Sequence, residues 1–308
     1  MESFPDYSRI FIQLLSPAWL SSQKTEIAML RLDLLHPEIS GNKWFKLKYN
    51  LEAAKRENKN TILTFGGAWS NHISATAAAC DLLGFKSIGI IRGGDHENTL
   101  TLSRAREHGM QLHFISREQY RKKDDTNFIK QLAAKYNDPY IIPEGGNNAA
   151  GIKGCKEILS LCDTREYSHI CCAVGTGTTL AGLIEYGCKD KAYLTSTKEI
   201  IGFTSLKNGG YLQGKIAGNL SKDSTGVHWK LMTGYHFGGF AKKTNSLLDF
   251  MQAFWDQYHI ALDFVYTAKM MYGIMDLTGK GYFPAGSRIL ALHTGGLQGN
   301  RSLGLPLQ

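Results

Sequence analysis

Four short runs of apolar, β-branched and aromatic residues recur in the first half of the chain: Thr61–Phe65 (TILTF), Ser87–Ile91 (SIGII), Gln111–Ile115 (QLHFI) and Tyr140–Ile142 (YII). Each reads as a short buried strand. Helix-like segments lie between them, including Ser74–Leu83 and Leu100–Glu107, and Gly84 and Gly109 stand where a helix ends in a left-handed turn. Strand alternating with helix in this way calls for a parallel sheet with right-handed crossovers. The alternation resumes with strands at His169–Val174, Glu199–Thr204 and Arg288–His293 and helices at Ala181–Tyr186 and Leu247–Tyr258. A break at Glu144-Gly145-Gly146-Asn147-Asn148 divides the pattern, so the expected fold class is α/β, with two open parallel-sheet domains, flanking helices and ligand binding in the cleft between them. The Gly-rich, polar stretch from Asn208 to Met232 reads as an extended loop.

Composition narrows the function classes. With 43% hydrophobic and 20% charged residues, the 308-residue chain can bury a large core and remain soluble, and 33 Gly against 7 Pro argue against a disordered or fibrous chain. No apolar run approaches the roughly 18 residues of a membrane span. The start, MESFPDYSRI, does not resemble a secretory signal, so a cytoplasmic protein is expected. Six cysteines are too sparse for a disulfide framework, none forms Cys-x-x-Cys, and no metal site is suggested. The net charge of +8 is spread out, its densest clusters being pairs such as Lys122-Lys123 and Lys242-Lys243, which points to a solvated surface rather than a nucleic-acid footprint.

Four segments could carry chemistry. Gly175-Thr176-Gly177-Thr178-Thr179 follows the strand HICCAV and opens a helix; consecutive backbone N–H groups, hydroxyls and small residues there form a phosphate cradle. A dinucleotide fingerprint is incomplete, because the last glycine falls at Gly182 and Phe203-Thr204-Ser205 supplies no acid for a ribose. In Ser40-Gly41-Asn42-Lys43-Trp44-Phe45, Lys43 is either a solvated cation or an amine that forms a Schiff base with a carbonyl cofactor, desolvated by Trp44 and Phe45. Gly66-Gly67-Ala68-Trp69-Ser70-Asn71-His72 is either a bare helix cap or a receptor for a carboxylate. Asp263 to Lys269 and His293 to Gly299 add side chains for the far edge of a flat cofactor.

Taken in order, these motifs resemble those of the pyridoxal-phosphate enzymes of the tryptophan-synthase β-subunit fold type (fold type II), in the branch that holds 1-aminocyclopropane-1-carboxylate deaminase and D-cysteine desulfhydrase. The resemblance runs through Arg31-Leu32-Asp33, Gly41-Asn42-Lys43, Lys46-Leu47, Gly66-Gly67, Ser70-Asn71-His72 and Pro143-Glu144-Gly145-Gly146. It continues through Gly175–Thr179, Val265-Tyr266-Thr267-Ala268-Lys269, Phe283 to Arg288 and His293-Thr294-Gly295-Gly296. It implies that pyridoxal 5'-phosphate is held by Lys43, which also moves the substrate Cα proton. Gly175, Thr176, Gly177, Thr178 and Thr179 would hold the phosphate and Asn71 the ring hydroxyl. Ser70, Asn71 and His72 would receive a substrate carboxylate, Tyr266 would stand beside substrate and ring, and Thr267 and Thr294 would lie by the cofactor. The expected division is a larger cofactor-binding domain over 1–47 and 148–308 and a smaller α/β domain over 48–147, in a homodimer acting on a small amino acid, with no nucleic-acid or membrane partner.

Within that branch, Thr267 and Thr294 match the D-cysteine desulfhydrases, where the aminocyclopropane deaminases carry Glu and Leu. The resemblance therefore implies β-elimination from D-cysteine to pyruvate, ammonia and hydrogen sulfide, with the aminocyclopropane deaminase and a non-catalytic anion- or nucleotide-binding protein as alternatives. Three positions depart from the pattern: Gly239 or Phe240 stands where the family has a tyrosine, Ala268 replaces a glycine and Trp69 a glutamine. These changes crowd the substrate pocket.

Overall fold

The computed structural model describes residues 4–15, 25–94, 96–195 and 198–303; of the amino-terminal stretch read for a signal, residues 1–3 lie outside it. The chain opens with β1 (Ile12–Leu15), β2 (Glu26–Leu30), α1 (Asn42–Arg56), β3 (Thr61–Gly66), α2 (Asn71–Leu83), β4 (Lys86–Arg92) and α3 (Leu100–Glu107). Next come β5 (Gln111–Ile115), α4 (Arg117–Tyr120), α5 (Thr126–Lys135), β6 (Tyr140–Ile142), α6 (Ala149–Lys156), β7 (His169–Val174), α7 (Thr178–Gly187) and α8 (Lys191–Leu194). The last part contains β8 (Glu199–Thr204), α9 (Leu212–Ala217), β9 (Trp229–Met232), α10 (Asn245–Tyr258), α11 (Thr267–Gly279) and β10 (Arg288–Leu292). No described helix is long and apolar enough to cross a membrane.

The chain forms two compact units, one made of residues 1–42 and 155–308 and the other of residues 43–154. The smaller unit is built on a four-stranded sheet in the order β5-β4-β3-β6, every pair parallel. Its inner strands β3 and β4 read as continuous apolar runs because both their faces are covered, while β5 and β6 at the edges are partly exposed. Leu63, Phe65, Ile88 and Ile90 pack with Tyr120 and Leu132, while Ile91 packs with Ile73, Leu102 and Ala105. The larger unit has a six-stranded sheet in the order β1-β2-β10-β7-β8-β9. Its Ile289 and Ala291 join Met251 and Phe254 of α10 and Met270, Met271 and Ile274 of α11 in one core cluster. Each such fully buried side chain contributes about 1.5–3 kcal/mol.

Two features depart from the sequence reading. Strand β1 pairs antiparallel with β2, so the larger sheet is parallel only from β2 onward. The 208–232 stretch is not an extended loop: it holds α9 and ends in β9, parallel to β8. Its glycines hide this order, because much of the hold is tertiary. The Glu185 carboxylate accepts hydrogen bonds from the Ser221 N–H (2.6 Å), the Ser221 hydroxyl (3.0 Å) and the Ser224 hydroxyl (2.9 Å).

Candidate functional site

At the carboxyl end of β7 the chain turns through Gly175 and Thr176 into α7, with Gly177 as its N-cap at φ 92°. This left-handed conformation suits glycine alone, and a Cβ there would also lie 2.6 Å from Ile216 Cγ1. Gly177 has no side chain with which to accept a first-turn N–H, so it makes no cap bond at the positive end of the helix dipole. The Thr176 and Thr178 hydroxyls lie 2.9 Å apart beside it, and Thr178 and Thr179 are buried. A Cβ on Gly175 would stand 3.1 Å from both Cε1 and Oη of Tyr266, so the phenol lies against this turn.

The segment leading to Lys43 is held from two sides. Gly41, at φ 64°, lets its backbone approach Thr294 and Gly295 so closely that a Cβ would fall 2.0 Å from the Thr294 carbonyl oxygen. Asn42 Nδ2 donates to Thr179 Oγ1 at 2.7 Å, a buried bond that ties the residue before Lys43 to the 175–179 turn. Lys43 itself is half-buried in the first turn of α1, followed by the buried rings of Trp44 and Phe45. Behind Thr294, His293 donates from Nε2 to the Ala261 carbonyl (2.7 Å), and its Nδ1 lies 3.2 Å from the Gly295 N–H and 3.6 Å from Asp33 Oδ1. Arg31 holds Asp33 with a two-pronged bond, Nε to Oδ1 at 2.9 Å and a second pair at 2.8 Å.

In the smaller unit, β3 runs into a turn that ends at Ser70, the N-cap of α2, whose Oγ accepts the Ile73 N–H at 3.3 Å. Asn71 is buried at the first helical position. The Thr64 hydroxyl donates to the Ile142 carbonyl at 2.8 Å, so at 2.9 Å from His72 Nε2 it can only accept, and His72 carries its proton on Nε2. Burial first, then the charges of Lys46 and Lys43, push the His72 pKa down to about 3. Its Nδ1 is a buried acceptor with no hydrogen-bond partner. The imidazole therefore cannot meet a carboxylate as a donor, and what His72 can offer an anion is its main-chain N–H. Trp69 is 40% exposed, its ring 6.4 Å from that of His96.

At the start of α11, Asp263 Oδ1 accepts the N–H groups of Tyr266 and Thr267, each at 2.7 Å, and Thr267 Oγ1 accepts the Asp263 N–H at 2.7 Å. Thr267 is wholly enclosed. Its hydroxyl accepts the Asp263 N–H and stands 3.4 Å from the Asp263 carbonyl and Oδ1, so it is part of this reciprocal cap. Phe240 is 44% exposed, with its ring 6.1 Å from Tyr266 in an edge-on pair. The larger unit thus brings Gly175–Thr179, Tyr266, Thr294 and the Gly41-Asn42 segment together, and the smaller unit holds Ser70, Asn71 and His72 on one helix start. Three residues that the sequence shows only as members of motifs gain their partners from the fold: Asn42 bonds Thr179, Lys46 is a buried cation in α1, and Asp263 precedes Thr267 at a capping distance.

A model of the family described as pyridoxal-phosphate dependent enzymes matches residues 15–295. The chain is 31% identical over 298 residues to the bifunctional D-cysteine desulfhydrase/1-aminocyclopropane-1-carboxylate deaminase, mitochondrial, of Arabidopsis thaliana, covering 89% of this chain and 73% of that protein. It is 28% identical to the D-cysteine desulfhydrase of Salmonella typhi, covering 88% of this chain and 87% of the relative. Among solved structures, one described as an ACC deaminase homologue matches with a TM-score of 0.82 at 26% identity, over 96% of this chain and 92% of that one.

Proposed function

The chain belongs to the family of pyridoxal-phosphate-dependent enzymes, in the group that holds 1-aminocyclopropane-1-carboxylate deaminases and D-cysteine desulfhydrases, and from that premise we propose that it breaks down D-cysteine or a related β-substituted D-amino acid. With water, D-cysteine would yield pyruvate, ammonia and hydrogen sulfide.

The residues fit the cofactor. The start of α7 has a glycine N-cap, held left-handed and packed against Ile216, and with the hydroxyls of Thr176 and Thr178 beside it its donor set suits a phosphate dianion. When bound, pyridoxal phosphate supplies the electron sink that makes the substrate Cα proton acidic. The protein supplies attachment, orientation and proton transfer. Lys43 is the amine that would hold the cofactor and take the Cα proton, and the bond from Asn42 to Thr179 fixes the residue beside it. Gly175–Thr179 would hold the phosphate, and Thr294 lies against Gly41, two residues before Lys43. At the start of α2, the N-cap bond uses a lone pair of Ser70 Oγ and leaves the O–H proton to donate to a substrate carboxylate, with Asn71 and the His72 N–H beside it. Tyr266, lying against the 175–179 turn, stands next to the substrate.

The observation that carries the choice of substrate is the state of position 267. A carboxylate there could keep a ring nitrogen protonated and strengthen the sink, as opening a cyclopropane requires. A threonine hydroxyl committed to Asp263 provides no such charge, and expulsion of a thiol needs less help.

Purified protein should absorb near the blue-violet edge, lose that colour with borohydride and lack it in Lys43→Ala. A screen of D- and L-amino acids and 1-aminocyclopropane-1-carboxylate for released keto acid should rank D-cysteine first. Coloured protein that turns over the cyclopropane substrate and leaves D-cysteine untouched overturns the assignment.

A further inference from the structure

Lys269 lies in the first turn of α11, three residues after Tyr266, and is 2% exposed. Its Nζ donates to the carbonyl oxygens of His236 (2.9 Å) and Gly239 (2.7 Å). Burying an ammonium is costly unless its protons are used, and here they are used on one short loop. That loop has positive φ at Phe237 (49°), Gly238 (89°), Gly239 (123°) and Ala241 (54°), a set of conformations that two non-glycine residues hold only under strain. Its internal bonds run from the Gly238 N–H to His236 Nδ1 (3.0 Å) and from the Gly239 N–H to the His236 carbonyl (2.9 Å). The residue after the clamped Gly239 is Phe240, whose large, half-exposed ring meets Tyr266 edge-on.

We propose that Lys269 is a positioning residue that pins the 236–241 loop so that Phe240 stands against Tyr266 and limits the size of the β-substituent the enzyme accepts. The inference rests on the reading of Tyr266 as substrate-facing. One helix start thereby carries both the phenol and the latch for the ring beside it, so the two are set in register by the same turn.

Phe240→Ala, Lys269→Met and the double variant test this on cofactor-loaded enzyme. Phe240→Ala should raise kcat/KM for a bulky β-substituted D-amino acid relative to D-cysteine by about ten-fold, through KM rather than kcat, with the visible absorbance unchanged. Lys269→Met should reproduce that change, and the double variant should add nothing further, because both act through one ring. Trypsin should also cut at Lys242-Lys243 about ten-fold faster in Lys269→Met than in the wild type, with or without cofactor. Additive effects, or unchanged cutting, overturn the latch. If Lys269→Met fails to fold, Phe240→Ala still decides: discrimination unmoved within two-fold sinks the proposal. A colourless, inactive wild type would instead sink the lyase reading, and the cleavage rates would still report on the latch.

Discussion

After β3 and again after β7, the chain passes from the carboxyl end of a parallel strand through glycines into a helix, yet the two helix starts are finished with opposite chemistry. At Ser70 a side chain caps α2 and one donor is satisfied internally, while at Gly177 the cap position of α7 has no side chain and makes no such bond. The contrast teaches what each start can receive. A glycine-capped helix offers a row of N–H groups and its dipole, which suits a permanently charged group such as phosphate. A serine-capped one offers a single hydroxyl with a defined direction, which suits a group that must be placed.

If this distinction holds, damaging the glycine cap should have the largest effect. In Gly177→Val the left-handed φ and the approach of Ile216 both oppose a branched side chain, and affinity for pyridoxal phosphate should fall about a thousand-fold, or roughly 4 kcal/mol, by titration of the apoprotein. Unchanged affinity would remove the phosphate assignment.

A second test concerns the acid response of the serine-capped start. The folded pKa of His72 lies near 3, below its ordinary 6.5, so the unfolded chain binds the extra proton between these values. Stability from this group is therefore complete above about pH 6.5 and is lost as pH falls toward 3, by about 3 kcal/mol at roughly pH 4.5. Urea melts at neutral and acid pH should show this loss in the wild type and a shallower one in His72→Asn; equal slopes would mean that His72 is not held neutral by burial.

The smallest change, Ser70→Ala, should separate placement from anchoring. It should cost about 1 kcal/mol of stability through the lost cap and about a hundred-fold in kcat/KM for D-cysteine, while the colour of the bound cofactor remains. Loss of colour in this variant would make the two starts alike after all.

Much of the fold is legible because the inner strands are buried on both faces, and a run such as His169–Val174 needs no context to be read. Strand β1 resists the same reading, since Leu14 is 57% exposed, Ile12 and Gln13 are only partly covered, and Leu15 alone is buried. The 208–232 stretch resists it for another reason, because the carboxylate that gathers Ser221 and Ser224 lies on α7, far away in sequence. The same limit applies to side-chain chemistry. Glycines and a strand-to-helix spacing mark the 175–179 turn, but the tautomer of His72 depends on Thr64 and Ile142, and the commitment of Thr267 on Asp263. Such partners are set by packing and leave no local signature.

The bond from Asn42 to Thr179 has a neighbour: Cys155 Sγ lies 3.9 Å from the same hydroxyl. Residues 42 and 155 are the points at which the larger unit's chain breaks off and resumes, and within the smaller unit the backbone at Gly154 lies hard against Phe45. Entry and exit of the intervening 43–154 segment are thus side by side, the arrangement expected of a cassette spliced into a host gene. A segment joined in this way can diverge, lengthen or be exchanged for another while its host closes over the same threonine.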